Sequence, residues 1–230
     1  DLVEYDPECY LCPGVQRASG NINPEYQDTF VFDNDFPSLS SDNTIDNNSG
    51  YSVRDVPAKG VCRVVCFSPK HNSTLAVMEN DRIVSVISCF RDQFEDLAGR
   101  SEIENVLLFE NKGEIIGVSN PHPHGQVYAT DFVPRIISVQ YSHAKEHLEK
   151  SGGCLYCSIL EEEINDGSRI VTQNSQCVAF VPYFARHTYE IHIYPRRHVS
   201  FITELCEDEL KSFAELYHEI LIRYDNLFQM

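Results

Sequence analysis

The chain of 230 residues carries nine cysteines and nine histidines, and their spacing is the first chemical clue. Four of the cysteines form two Cys-x-x-Cys pairs, Cys9/Cys12 and Cys154/Cys157. Two thiolates one tight turn apart suit a metal ion or a redox couple. The other five, Cys62, Cys66, Cys89, Cys177 and Cys206, sit singly in apolar stretches, as buried free thiols do. Among the histidines, His122-Pro123-His124-Gly125-Gln126 is the most chemical string. In an extended segment residues i and i+2 face the same way, so both imidazoles would line one surface. Gly125 lets a ligand approach the backbone, and Gln126 adds a neutral donor and acceptor. Imidazole is a competent nucleophile near neutral pH. Its attack on an α-phosphate gives a phosphoramidate that can wait for a second acceptor. Taken alone, a bare His-x-His favours metal ligands or plain surface residues over a catalytic pair. His143 and His147 have metal spacing on a helix but lack the Glu of a His-Glu-x-x-His motif, which favours a solvated face. His187, His192 and His218 read as structural.

These residues need a scaffold to position them. The apolar run Val61–Ser68 reads as a buried strand, after a turn-rich opening with a short strand near Thr29–Phe32. Leu75–Leu97 has helical spacing and ends before Gly99. Strands are expected over Asn105–Asn111 and, after a turn, within Gly117–Thr130. Helices follow over Ile136–Lys150 and Cys154–Asn165. Further strands are expected at Arg169–Thr172, Cys177–Pro182 and Tyr189–Tyr194, then a long amphipathic helix over Glu204–Tyr224 with an acidic first turn. The polar tract Ser38–Ser52 reads as a mobile loop.

Composition narrows the function classes. With 42% hydrophobic residues the chain can bury a core. Eighteen basic against thirty-five acidic residues give a net charge of −17, which disfavours nucleic-acid partners. A small anion can still be held by backbone N–H groups and a few side chains. No apolar run approaches a membrane span and no apolar segment opens the chain, so membrane attachment is not expected and the unpaired cysteines indicate the cytoplasm.

An internal repeat organises the sequence. The first copy runs Cys9-Tyr-Leu-Cys12, a strand into Ser68-Pro69-Lys70-His71, a long helix, and Leu107-Leu108-Phe109. The second runs Cys154-Leu-Tyr-Cys157, a strand into Tyr194-Pro195-Arg196-Arg197-His198, a long helix, and Asn226-Leu227-Phe228. The expected fold is α+β, with two repeats, 1–134 and 135–230, sharing one mainly antiparallel sheet. The second copy stops at Met230, where its equivalent of Ser119–Gln126 is expected to begin.

Asn111-Lys112-Gly113 and Gly117-Val118-Ser119-Asn120-Pro121-His122-Pro123-His124-Gly125-Gln126 together resemble the active-site signature of the galactose-1-phosphate uridylyltransferases, in the histidine-triad superfamily. Cys9–Gly14, Phe32–Pro37, Cys66–His71 and Arg223–Phe228 resemble that family in the same order, so the likeness spans nearly the whole chain. The resemblance implies a double displacement that converts UDP-glucose and galactose 1-phosphate to glucose 1-phosphate and UDP-galactose. By it, His124 is the nucleophile, while Gln126, Ser119 and Asn111 serve the phosphates. Leu11, Asn34, Asp35 and Phe36 bind uridine, with the Asp35 carboxylate suited to a ribose hydroxyl. Cys9, Cys12, His71 and His122 become a tetrahedral zinc set. Through the repeat, Cys154, Cys157 and His198 become part of a second set, whose fourth ligand would lie beyond Met230. Some relatives hold iron with a glutamate where this chain has Gln140, a poor ligand. A homodimer is also implied. Two rival readings are a related transferase or phosphorylase of adenine nucleotides and a non-catalytic zinc-stabilised binding module. The proline between His122 and His124 favours the uridylyltransferases over the phosphorylases.

Overall fold

The computed structural model describes residues 3–42, 44, 56–113, 116–118 and 120–228. Ser119 and most of the polar tract Ser38–Ser52 lie outside the described residues. The chain divides into two compact units, residues 1–78 with 88–133 and residues 79–87 with 134–230.

The first unit is built on an antiparallel sheet of β1 (Phe30–Asp33), β2 (Gly60–Cys66), β3 (Asn105–Phe109) and β4 (His124–Thr130), in the order β1-β2-β4-β3. Helix α1 (Asn80–Ala98) lies between β2 and β3 in sequence. β2 and β4 are the inner strands, which is why the β-branched, apolar run is buried. Strand β4 alternates, with Gly125, Val127 and Ala129 buried and His124, Gln126 and Tyr128 only partly so. Register places Phe32, Val64, Gln126 and Phe109 in one row across all four strands. Side chains in such a row share a face, so Gln126 is presented beside Val64 and Phe32. Helix α1 starts at Asn80 rather than Leu75, because Leu75, Ala76 and Met78 are buried in the turns that precede it.

The second unit has α2 (Arg135–Ser151), α3 (Leu155–Asp166), β5 (Ile170–Gln173), β6 (Cys177–Phe180), β7 (His192–Pro195) and α4 (Glu207–Phe228). Its antiparallel sheet runs β5-β6-β7. All four residues of β6 are buried because both faces are covered. Cys177 and Ala179 pack on Leu216 and Ile220 of α4, while Val178 and Phe180 pack with Leu160 of α3. Helix α2 ends on Gly152, whose φ of 73° supplies the left-handed turn. Glu209 in the first turn of α4 accepts the Cys206 N–H at 2.9 Å and takes a two-pronged ion pair from Arg197 at 2.7 and 2.8 Å. That fork ties the start of α4 to the residue beside His198.

The α+β, antiparallel architecture is as expected, with two differences. The described strands form two sheets, one in each unit, rather than a single shared one. Asn226-Leu227-Phe228, expected as the counterpart of β3, is the last turn of α4. The first copy breaks its helix at Gly99, whereas no glycine or proline separates Tyr224 from Phe228, so the helix runs on.

Candidate functional site

Two clusters of chemistry meet in the first unit. The tight turn at Cys9–Cys12 is closed by the Cys12 N–H donating to the Cys9 carbonyl at 3.0 Å. The buried Asn23 fastens the turn by donating to the carbonyls of Tyr10 and Cys12, each at 2.9 Å. His71 follows β2 and His122 sits in a bend just before β4, so both imidazoles reach the thiols. The ligand atoms of Cys9, Cys12, His71 and His122 lie within 4.8 Å of one another, and all four residues are buried. The Cys12 Sγ is 3.7 Å from His71 Nδ1 and 3.5 Å from His122 Nδ1. Zinc bonds of about 2.3 Å to sulfur and about 2.0–2.1 Å to nitrogen give tetrahedral S–N edges of about 3.6 Å. The residues therefore fit a zinc ion without rearrangement.

The surroundings favour metal-ready forms of these groups. His122 Nε2 lies 2.8 Å from the Ser68 carbonyl and 3.1 Å from the Tyr26 hydroxyl. A carbonyl can only accept, so the proton belongs on Nε2 and the Nδ1 lone pair faces Cys12. Burial pushes the His122 pKa down to about 4, which keeps the ring neutral at physiological pH. Burial also pushes the Cys12 thiol up to about 11, so ionising it calls for a cation. Cys9 Sγ receives N–H groups from Leu11 and from Asn120 Nδ2, both at 3.4 Å. Asn120 also accepts the His122 backbone N–H at 3.0 Å, which couples the cysteine turn to the histidine string.

Directly beside this cluster is a cleft of about 190 Å³ lined by Tyr10, Leu11, Phe32, Asn34, Asp35, Phe36, Val64, His124 and Gln126. It is smaller than the ~300–1,000 Å³ typical of small-molecule pockets, so it suits one end of a larger ligand. His124 opens β4, and its Nδ1 lies 2.7 Å from the His122 carbonyl. That bond places the ring proton on Nδ1 and leaves the Nε2 lone pair free for attack. Asn34 closes a small turn by accepting the Phe36 N–H at 2.9 Å.

Of the residues singled out in the sequence, Leu11, Asn34, Asp35, Phe36, His124 and Gln126 come together in this cleft. Asn111 does not line it. It is exposed, two residues past the end of β3, which is on the far side of β4 from β2. Ser119 lies outside the described residues. Gly125 has a role other than ligand approach: a Cβ there would meet Phe90 and Phe67 at 2.6 and 2.7 Å, inside the core. Nor do the two histidines share a surface, because His122 precedes the strand and is buried in the cysteine cluster. Tyr10, Phe32 and Val64 were missed. Strand alternation from Asn34 points to Phe32, but Val64 is found only through the register of β2 against β1 and β4.

In the second unit Cys154, Cys157 and His198 also place their ligand atoms within 4.8 Å, in a more open setting. Cys154 is the N-cap of α3, and Cys157 Sγ is 3.2 Å from His198 Nδ1. Among the described residues no helix is long and apolar enough to cross a membrane.

Comparison with known proteins agrees with this geometry. Residues 1–134 match the model of the galactose-1-phosphate uridyl transferase N-terminal domain, and residues 138–230 that of its C-terminal domain. A galactose-1-phosphate uridylyltransferase of Haemophilus influenzae is 36% identical over 98% of this chain, and one of Saccharomyces cerevisiae is 32% identical over 98%. The chain spans 64% and 65% of those two relatives. A solved uridylyltransferase structure superposes with a TM-score of 0.82 at 30% identity, covering 95% of this chain and 69% of that one. An ADP-glucose phosphorylase from Arabidopsis thaliana shares the fold, with a TM-score of 0.78 at 23% identity. With both domain models matched along its length, the chain belongs to the galactose-1-phosphate uridyl transferase family.

Proposed function

We propose that this chain carries the nucleotidyl-transfer centre of a UDP-glucose–hexose-1-phosphate uridylyltransferase. The observation that carries the reading is His124, its Nδ1 held on the His122 carbonyl and its ring opening into the cleft beside Gln126. Uridine occupies the cleft, the base between Leu11, Phe32 and Val64 and the ribose near Asn34 and Asp35. His124 Nε2 attacks the α-phosphorus of UDP-glucose, a P–N bond forms, and the bond to the β-phosphate oxygen breaks to release glucose 1-phosphate. A phosphate oxygen of galactose 1-phosphate then attacks the same phosphorus, the P–N bond breaks, and UDP-galactose leaves. Gln126 donates to the phosphate oxygens, where charge grows in the transition state. Ser119 and Asn111 are assigned to the phosphates by family resemblance.

Zinc held by Cys9, Cys12, His71 and His122 would neutralise the two thiolates and fix the His122 backbone. That backbone carries the carbonyl that orients His124. Cys154, Cys157 and His198 are proposed to hold a second zinc. The reading assigns catalysis to residues 1–134, with 135–230 as the second repeat. A homodimer comes with it from the resemblance, and a cytoplasmic location from the unpaired cysteines. The test is release of glucose 1-phosphate from UDP-glucose on adding galactose 1-phosphate. Turnover of ADP-glucose in place of UDP-glucose would favour the adenine-nucleotide reading, and none with either would favour a binding module.

A further inference from the structure

Asp35 lines the cleft but its carboxylate is not free to turn. Its Oδ1 takes an N–H from Arg17 Nη1 at 3.0 Å, and Oδ2 faces the Ser19 backbone N–H at 3.4 Å. The Arg17 and Asp35 side chains are only 10% and 9% exposed. The same guanidinium lies 4.0 Å over the Phe32 ring, so one cation grips two cleft residues without lining the cleft itself. Arg17 is held in a small closed loop: its N–H donates to the Asn21 carbonyl at 2.8 Å and its carbonyl accepts from Gly20 at 2.9 Å. Gly20 makes that loop possible with a φ of 87°.

As a stabilising device this is a poor one. Burying an ion pair costs desolvation, and Arg17 Nε has no partner among the described residues. What the arrangement does supply is position. We propose that Arg17 is a positioning residue of the nucleoside subsite, fixing the Asp35 rotamer and the Phe32 ring so that the carboxylate meets the ribose hydroxyls. Of about four acceptor directions on a carboxylate, Arg17 and Ser19 occupy two, which leaves about two for a ribose hydroxyl. The inference rests on the uridylyltransferase reading and assigns ribose recognition within it to a residue behind the cleft wall.

The test compares dissociation constants of UDP, 2′-deoxy-UDP and 3′-deoxy-UDP for the full protein and for Arg17→Met and Arg17→Lys, by calorimetry. The parent should prefer UDP to at least one deoxy analogue. Methionine keeps the apolar contact with Phe32 but drops the charge. In Arg17→Met the affinity for UDP should fall about tenfold, with that of the disfavoured deoxy analogue nearly unchanged, so the preference collapses. Arg17→Lys, which keeps the charge but not the fork, should fall between. If the methionine variant fails to fold, the lysine variant carries the test and its preference must lie below the parent's. A parental preference in the folded variants overturns the proposal, as does an equal loss for UDP and the deoxy analogues, which would mark a structural role. A parent that binds none of the three ligands overturns the nucleotide reading itself.

Discussion

Gly125 is where core packing and the proposed catalytic cleft share one residue, and Gly125→Ala separates them from other effects. Its neighbours in β4, His124 and Gln126, both line the cleft. A Cβ at 125 would meet Phe90 Cζ at 2.6 Å, Phe67 Cζ at 2.7 Å and the Phe109 carbonyl oxygen at 2.9 Å. Carbon atoms settle at about 3.5–4.0 Å, so the ring edges would have to retreat by about 0.8–0.9 Å. Phe90 is partly exposed and can swing, but Phe67 is 1% exposed and has nowhere to go. The Phe109 oxygen belongs to β3, which is paired with β4 at Gln126. Relief must therefore come from β4 itself, carrying His124 and Gln126 with it. Overpacking of this kind costs about 1–3 kcal/mol, which lowers Tm by roughly 2–12 °C in a chain of this size. A shift of up to about 1 Å in a reacting group costs up to about a hundredfold in rate. The assay is uridylyl transfer measured well below Tm, beside a melting curve and a zinc determination. The expected variant keeps its zinc, melts lower and turns over about 10–100 times more slowly. Gly153→Ala is the control, since nothing but Ser151 Oγ at 3.8 Å stands near its added methyl. A Gly125→Ala protein with parental Tm and kcat would show that β4 absorbs the added methyl without moving His124 and Gln126.

Three other outcomes follow from the geometry. Asn120→Ala removes the N–H on Cys9 and the acceptor for the His122 backbone, and should weaken zinc retention against a chelator about 10–100-fold. Elemental analysis of the complete protein should give about two zincs per chain, falling by one in Cys154→Ser; an unchanged count there would return Cys154 and Cys157 to a non-ligand role. The Arg197 guanidinium holds the Glu209 carboxyl down to about 2, below its ordinary 4.5. Its folded-state pKa is thus depressed, so the stability it contributes is fully present above 4.5 and is lost as pH falls toward 2. Glu209→Gln should lower Tm at pH 7, with the gap to the parent narrowing between pH 4.5 and 2.5 in melting curves.

The grouping of Cys9 and Cys12 with His71, and of Cys154 and Cys157 with His198, was legible because type and spacing carry the signal: Cys-x-x-Cys needs only a turn to converge, and the repeat supplies the histidine. The elements were legible where the pattern is strong, as in the apolar run of β2 and the stripe of α4. Strand register is a long-range property, so Val64 as part of the cleft floor could not be read, and neither could the division into two sheets. Gly125 was misread because a motif glycine suggests ligand approach, whereas two phenylalanines distant in sequence, at positions 67 and 90, claim its space. Asn23, Tyr26 and Asn120 carry no pattern of their own. Only the folded turn reveals that they set the carbonyls, the tautomer and the thiol donors of the Cys9–Cys12–His71–His122 group.

The central claim is that His124 takes up the uridylyl group. The protein should be incubated with UDP-glucose labelled in the α-phosphate, without galactose 1-phosphate, and the denatured chain analysed by peptide mapping. One uridylyl group per site is expected, acid-labile and base-stable, on the peptide containing His124, released as UDP-galactose when galactose 1-phosphate is added to the native protein. His124→Gly should retain its zinc and acquire no label. Label on another residue, or turnover in His124→Gly near the parental rate, would contradict it.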